Sequence, residues 1–284
     1  MHALKETVYT PVSPIRNPGK LVAEMIRDLF ASRELAWRLF VRDVSAQYRQ
    51  SALGYLWAFA PPVVSAVPWL FLSSQRILNT GETPIHYAAF VLAGTTLWSA
   101  FSDSLTAPLN ALNAGRPMMS KINFPREALI LASLGQIVTN LAIRVAVMLV
   151  IFAVLGVSFV SPSLLLAPFG VAAIIIAGLS LGMLIAPVGM LYTDAGRCVG
   201  MISGFWMILT PVVYMPPTDG FAGVLARWNP ASPLITTARD WFTGQSPVQL
   251  SGFLIVTLAS LVILLVSWML LRLCLPILVE RMGG

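Results

Sequence analysis

The sequence predicts an all-α polytopic membrane protein, on the grounds of its composition, its uncharged runs and its distribution of basic residues. Of the 284 residues, 57% are hydrophobic and 11% are charged, whereas about 25% of residues are charged in a soluble globular domain. The mean hydropathy is +0.80. A single soluble domain and a disordered chain are both excluded, because disorder requires few apolar residues and many charges.

Long uncharged runs indicate the membrane spans. A helix needs about 20 apolar residues to cross the hydrocarbon core of a bilayer. The run from Val145 to Thr193 accommodates the end of one span and the whole of another, with a turn near Pro162. Six spans are predicted, over residues 53–75, 86–113, 128–157, 164–191, 198–215 and 252–275.

The basic residues predict the orientation of these spans. With the amino terminus inside, fourteen Lys and Arg residues lie on the inner side and three on the outer side, while Arg144 lies within a span. Because inner loops carry an excess of Lys and Arg, both termini are expected in the cytoplasm. This excess accounts for the net charge of +6. No nucleic-acid partner is expected, since no compact soluble domain carries the charge.

The residues before the first span form two predicted regions. Residues 1–20 are expected to be a cytoplasmic tail, and residues 21–50 two amphipathic helices. In the second helix, Trp37 and Phe40 lie on one face and basic residues on another, which is typical of a helix in the membrane interface. Burial against a partner protein is the alternative. The side chains expected to contact the interface or lipid headgroups are Arg38, Arg42, Tyr48 and Arg49.

The transmembrane domain, residues 51–284, contains one segment that is neither a span nor a plain loop. Residues 216–250 are too polar to cross the membrane, and five prolines interrupt them. Residues 221–228 and 234–242 are predicted to form two short helices. Such a hairpin can re-enter the membrane from outside where protein or a water-filled cavity covers its backbone.

Few residues offer catalytic or metal chemistry. The chain has two histidines and two cysteines, and it contains neither a zinc-binding HExxH sequence nor a P-loop. The G-x-S-x-G sequence at residues 178–182 lies in an apolar helical run, whereas a nucleophile elbow needs a strand-to-helix turn. Its glycines, and Gly196, Gly200 and Gly204, are predicted to allow close helix packing instead. No catalytic residue or metal site is expected, and both cysteines are expected only to pack.

Two charged residues lie within predicted spans, where each costs about 2.5–3.5 kcal/mol at mid-bilayer. At about 1.5 Å per residue from the predicted inner ends, Asp103 lies about 15 Å deep and Arg144 about 25 Å deep. A direct ion pair is therefore not expected. Each side chain is expected to face a hydrated cavity, and snorkelling of Arg144 to the outer surface is the alternative.

Aromatic residues are frequent in and near the spans. They anchor many membrane proteins at the bilayer interface and contact lipid. The more specific hypothesis is a channel lined with rings on which sugars stack. The channel-lining candidates are Trp57, Phe59, Trp69, Trp98, Phe101, Asp103, Arg144, Phe205, Trp206 and Tyr214.

Four segments occur in order along residues 25–281 and carry a family resemblance. They are RDVSAQYRQSALGYLWA at residues 42–58, KINFPRE at 121–127, YTDAGR at 192–197, and TPVVY at 210–214 followed by Asn229-Pro230 and Arg239. Together with the six-span layout, they resemble the ABC-2 type permeases that export polysaccharides. This family comprises the exporters of O-antigen, capsule and teichoic acid.

The resemblance implies a half-transporter in a bacterial inner membrane. A second copy would complete a channel for a lipid-linked glycan, closed on the outside by the 216–250 hairpin. Two separate ATP-binding-cassette ATPase subunits would hold ATP and Mg²⁺, so no cofactor is expected on this chain. Arg42 and Arg49 are the candidates for contact with a diphosphate headgroup. The residues implied in coupling to the ATPase lie in the 116–127 loop: Arg116, Lys121, Phe124, Pro125, Arg126 and Glu127.

Other functions remain open at this point. Ordinary positive-inside retention is the alternative explanation of the 116–127 loop. An ion-coupled secondary transporter would use Asp103 and Arg144, and a membrane-embedded transferase or hydrolase would need an acid–base pair that the spans do not offer. Among ABC-2 exporters the cargo is O-antigen, capsule, teichoic acid, or a small lipid or drug.

Overall fold

The structure is a computed structural model that describes residues 18–49, 60–75, 83–119, 121, 124–157, 161–192, 194–216 and 220–283. These residues form helices joined by turns, and no strand occurs among them. A short 3₁₀ turn, Pro162–Leu166, precedes α6. The α-helices are α1 Pro18–Ala31, α2 Arg33–Arg49, α3 Ala60–Ser74, α4 Tyr87–Met119, α5 Glu127–Val154, α6 Ala167–Leu191, α7 Ala195–Leu209, α8 Gly220–Trp228, α9 Ala231–Phe242 and α10 Leu250–Gly283.

The centre of the molecule is the packing of α4 against α6, with α5 and α10 on either side. Glycines of α6 allow this close approach. A Cβ atom on Gly178 would lie 2.6 Å from the carbonyl oxygen of Phe101, and one on Gly182 would overlap the carbonyl oxygen of Leu105. The predicted packing role of these two glycines is therefore confirmed. Gly200 of α7, in contrast, has no neighbouring atom within 4 Å of a built Cβ.

Three segments of the described residues are long and apolar enough to cross a membrane: Glu127–Val154, Pro162–Leu191 and Leu250–Leu278. With 33 residues α4 is long enough, but Thr, Ser, Asp and Asn residues interrupt its apolar sequence. In contrast, α7 has 15 residues, about 22 Å of helix, against a hydrocarbon core of about 30 Å. The described part of the chain is thus all-helical, with three helices able to cross a membrane, while the six-span layout stays a prediction.

Several helices end at residues other than the ends of the predicted spans. The second span was placed at residues 86–113, but α4 continues to Met119, because hydropathy detects the edge of the membrane and not the end of a helix. The fifth span was placed at 198–215, but α7 ends at Leu209. Pro211 follows, and proline disfavours helical backbone at the residue before it. The helix α1 also begins at Pro18, slightly earlier than predicted, since proline suits the first turn of a helix.

The hairpin segment contains two short helices, as predicted, namely α8 and α9. Eleven of the twelve residues of α9 are buried, against α4, α6 and α10. Therefore α9 is an integral part of the helical core. Its depth in the membrane stays a prediction.

Candidate functional site

The connection between α4 and α5 carries the predicted coupling residues. Arg116 lies in the last turn of α4, where its Nη2 donates a hydrogen bond to the carbonyl oxygen of Met190 at 2.5 Å. Lys121 and Pro125 are exposed. Phe124 packs against a hydrophobic cluster that includes Leu129 of α5. The connection is therefore short and tied at both ends to the helical core.

An ion triad fixes the start of α5 to two distant helices. Glu127, the first residue of α5, is buried. Arg272 of α10 donates from Nη1 to Glu127 Oε1 at 3.2 Å and from Nη2 to Asp28 Oδ2 of α1 at 2.5 Å. One cation thus holds two carboxylates from separate elements. Sequence analysis missed this triad because its members lie 145 and 244 residues apart along the chain.

A groove lies beside the triad between α1, the α4–α5 connection and α10. We call it the α1–α10 groove; its volume is about 650 Å³. Four of the six predicted coupling residues share it, whereas Arg116 and Lys121 lie outside it. The groove residues from the connection are Phe124, Pro125, Arg126 and Glu127.

The second amphipathic helix, α2, packs against α5 of its own chain. Ala36 and Leu39 are buried, and a Cβ on Gly135 would lie 2.9 Å from the ring of Phe40. Trp37 is 64% exposed, so α2 presents a second apolar side outward. The predicted single apolar face is therefore divided between the protein core and the surroundings.

Two basic residues of α2, Arg38 and Arg42, are exposed and paired. Arg38 Nη2 lies 2.7 Å from Glu34, and Arg42 lies 2.8 Å from Asp43. The side chains of Tyr48 and Arg49 lie outside the described part of the structure. Lipid-headgroup contact by these residues stays a prediction.

Asp103 and Arg144 form a direct ion pair, contrary to the expectation from their depth. Arg144 Nη1 lies 2.8 Å from Asp103 Oδ2. The depth argument was wrong because α4 extends past the predicted inner end of the span. Asp103 lies 16 residues from the end of α4, and Arg144 lies 17 residues from the start of α5, so both lie about 25 Å from those ends.

A cavity of about 420 Å³, which we call the polar cleft, lies between α2, α4 and α5. Asp103 lines its deep end, and Arg42 and Asp43 line the end at α2. Asp103 thus faces a cavity and is paired at the same time. The intervening wall carries hydroxyl and carboxamide side chains, namely Thr106, Asn110, Ser133, Gln136 and Asn140.

Three of the aromatic channel candidates form one cluster between α4 and α7. The ring centroids of Trp98 and Phe101 are 5.1 Å apart, and that of Trp206 lies 5.2 Å from Phe101 in an edge-on arrangement. Trp98 and Phe101 are buried within the single chain. Their described contacts are thus packing contacts that join α4 to α7.

The other aromatic candidates are dispersed. Phe205 is 72% exposed on α7. Trp69 of α3 packs, partly buried, against the main core. Tyr214 donates a hydrogen bond from its hydroxyl to the carbonyl oxygen of Ile208 at 3.1 Å. Trp57 and Phe59 lie outside the described residues, and channel lining stays a prediction for the whole set.

The turn that follows α7 is held by a buried arginine. Arg239 of α9 is 2% exposed, and its Nη1 donates to the carbonyl oxygens of Pro211 and Val212 at 3.0 and 3.2 Å. Its guanidinium carbon lies 3.8 Å from the centroid of the Phe90 ring, which is a cation–π contact. A Cβ on Gly94 would overlap the carbonyl oxygen of Val212. The turn therefore lies directly against α4.

Asn229, between α8 and α9, adds a second set of bonds to this region. Its Oδ1 accepts from Trp206 Nε1 at 2.8 Å, and its Nδ2 donates to Thr210 Oγ1 at 2.8 Å. Arg239 and Asn229 therefore bind the hairpin to the end of α7. Both residues belong to the segments that carry the family resemblance, but these contacts were not predicted.

The described residues contain no group of three or more His, Cys, Asp or Glu side chains that could hold a metal ion. Cys198 is exposed on α7, and Cys274 is half-buried on α10; both are free thiols. The charged and polar groups described above are therefore the chemistry that the described part of the chain offers.

Comparison with known proteins identifies the family of this chain. The family model described as ABC-2 type transporter matches residues 34–243, which is more than half of the chain. The chain belongs to the ABC-2 type transporter family. This match confirms the family that the four sequence segments indicated, and it includes the α4–α5 connection and the hairpin.

Individual relatives of this ABC-2 type chain are distant. It is 24% identical over 221 residues to an O-antigen export system permease protein RfbA of Myxococcus xanthus, covering 77% of this chain and 84% of the relative. It is 25% identical over 208 residues to a protein of the same description from Klebsiella pneumoniae, covering 71% of this chain and 77% of the relative.

Proposed function

We propose that this chain is the membrane-spanning permease subunit of an ATP-driven exporter that moves a lipid-linked polysaccharide, of the O-antigen or capsule type, across the bacterial inner membrane. The proposal depends chiefly on the similarity of the chain to permease proteins of O-antigen export systems, over 77% of its length for one and 71% for another. The chain crosses the membrane six times with both termini in the cytoplasm, in agreement with the excess of basic residues on that side.

A second copy of the chain completes the channel. The surfaces of α3 and α7 support this proposal, because both helices expose apolar side chains, such as Phe71 and Phe205. Gly200 and Gly204 lie on α7 with open space around them, and glycines at this spacing allow a second helix to approach closely. The hairpin of α8 and α9 closes the channel on the outer side.

The α1–α10 groove receives an ATPase subunit. Two such subunits, which bind ATP and Mg²⁺, serve the dimer. The groove supports this assignment because the ion triad of Asp28, Glu127 and Arg272 borders it, so that a push on the α4–α5 connection acts on α1, α5 and α10 together. Arg42 and Arg49 contact the headgroup of the lipid-linked substrate.

Co-purification tests the proposal. The chain, tagged at its carboxyl terminus, is purified from native membranes, and an ATPase subunit is expected at a one-to-one ratio. Arg126→Glu, in the α1–α10 groove, should reduce this ratio because it reverses a charge at the proposed docking surface. Arg197→Glu is the matched control, since Arg197 is exposed outside the groove.

Transport assays complete the test. Vesicles that contain the permease and the ATPase should export a lipid-linked glycan when ATP is supplied. A chain that purifies without an ATPase and transports on an ion gradient would refute the proposal.

A further inference from the structure

The polar cleft lies between the amphipathic helix α2 and the helices α4 and α5. Along α4 it extends from Met118 to Asp103, about 22 Å of helix. The α2 end of the cleft carries Arg42 and Asp43, and the deep end carries Asp103. The cleft therefore runs from the amphipathic helix into the middle of the helical core.

Small residues make room in this cleft. Ala107, Ala111 and Ala114 of α4 and Ala132 of α5 line it. Because their side chains are short, the two helices leave a cavity of about 420 Å³. This volume lies within the range of roughly 300–1,000 Å³ that is typical of small-ligand sites.

The walls carry hydrogen-bonding groups that a ligand can reach. Within the described part of the structure, the carboxamides of Asn110 and Asn140 have no hydrogen-bond partner in the protein, and both line the cleft. Gln136 bonds to Gln47 at 3.3 Å. Asn110 is exposed and Asn140 is half-buried, so both carboxamides are open to a ligand in the cleft.

The chemistry of these groups selects a class of ligand. A carboxamide both donates and accepts hydrogen bonds, which matches a sugar hydroxyl. The interior between the two ends carries no further charge, so it does not suit a free ion. Arg42 uses Nε and Nη2 towards Asp43, which leaves other guanidinium donors for a phosphate.

We propose that the polar cleft binds the phosphate-linked sugar of the lipid-linked substrate, with the phosphate at Arg42 and the sugar hydroxyls at Asn110 and Asn140. This inference rests on the proposed function, because it names a substrate site in that transporter. It places the glycan-recognition site between α2, α4 and α5 of one chain, apart from any channel between two chains.

The test measures lipid binding to the permease–ATPase complex in nanodiscs. Three probes are compared: a polyprenyl diphosphate that carries a disaccharide, the same polyprenyl diphosphate without sugar, and phosphatidylglycerol. The sugar-bearing lipid is expected to bind about tenfold more tightly than the bare diphosphate, which is the effect of two neutral hydrogen bonds. Equal binding of these two lipids by the unaltered complex would overturn the inference without any variant.

Substitutions in the polar cleft test which residues cause the preference for the sugar-bearing lipid. Asn110→Leu together with Asn140→Leu should remove the preference for the sugar and leave the affinity for the bare diphosphate unchanged. Arg42→Gln should weaken both diphosphate lipids by the same factor. Asn113→Leu is the matched control, because Asn113 is on α4 but does not line the cleft, and it should keep the preference. A sugar preference that survives the double variant contradicts the inference.

The experiments distinguish a wrong assignment of the polar cleft from a wrong proposed function. If the ATPase co-purifies but the complex does not distinguish the two diphosphate lipids, the cleft assignment is wrong and the exporter function stands. If no ATPase associates, the proposed function itself is wrong.

Discussion

Replacing Arg272 by glutamine tests whether the ion triad holds the α1–α10 groove together. Glutamine keeps much of the side-chain length but removes the charge, which leaves Glu127 and Asp28 without their shared cation. The three side chains are between 11% and 28% exposed, so they lie between a surface pair and a buried one. An exposed ion pair contributes about 0.2–1 kcal/mol, whereas breaking a buried pair costs about 3–5 kcal/mol.

We therefore expect Arg272→Gln to lower the free energy of unfolding by about 1–3 kcal/mol. The measurement is denaturant or thermal unfolding of the purified permease, followed by tryptophan fluorescence. The neutral triple variant Asp28→Asn, Glu127→Gln, Arg272→Gln is the control. It removes the uncompensated carboxylates, so it should recover part of the lost stability.

Arg272→Gln should also uncouple ATP hydrolysis from transport. With the triad broken, movement of the α4–α5 connection no longer acts on α1 and α10 together, so more ATP is expected to be hydrolysed per glycan exported. The reasoning is refuted if Arg272→Gln is as stable as the unaltered chain, or if the triple variant is less stable than Arg272→Gln.

Three further substitutions test the packing contacts. Gly182→Ala should destabilise the fold by about 1–3 kcal/mol through overpacking against α4, whereas Gly200→Ala, on open α7, should leave monomer stability unchanged in the same unfolding assay. Arg144→Met should destabilise the chain more than Arg144→Met combined with Asp103→Asn, because the single change leaves an unpaired carboxylate. A double-mutant cycle measures the coupling between the two residues. Purely additive effects on stability would contradict the ion pair. Arg239→Met should lower the free energy of unfolding by about 2–4 kcal/mol and increase protease cleavage between α7 and α9. Unchanged cleavage would show that the buried guanidinium does not hold the turn.

The sequence predicts the helical class and the outline of the helices well, because apolar runs and proline positions act locally. Both helices of the hairpin were expected, and so was the close contact of Gly178 and Gly182 with a neighbouring helix. The errors lie at helix ends. Hydropathy cannot detect the polar extension of α4 to Met119, and that omission led directly to the wrong depth for Asp103.

The candidate site was predicted less completely, for a physical reason. The ion triad, the Arg239 contacts and the polar cleft each join helices that are far apart in sequence, and no local pattern specifies which helices meet. A charged residue in an apolar span indicates only that a partner or cavity is needed. Arg239 is the clearest case: on the sequence it is one of three outer basic residues, whereas in the structure its guanidinium is buried against Phe90.

The two proposed sites share α5, and this arrangement makes a reciprocal prediction. Glu127 and Ile130 line the α1–α10 groove, while Leu129 and Ala132, on the neighbouring face of the same turns, line the polar cleft. If α5 moves as a rigid element, docking of the proposed ATPase at the groove is expected to shift the wall of the cleft. The ATPase is then expected to change the affinity of the cleft for the lipid by a certain factor, and the lipid to change the affinity of the groove for the ATPase by the same factor.

This factor is expected to be about 5–150-fold, the usual range for coupled sites. It is measured as the affinity for the sugar-bearing lipid with and without the ATPase, and as the affinity for the ATPase with and without that lipid. Arg272→Gln should reduce it, since the triad anchors the start of α5 to α1 and α10. A factor of one in both measurements would show that the groove and the cleft act independently, and α5 would then be only a structural neighbour of each.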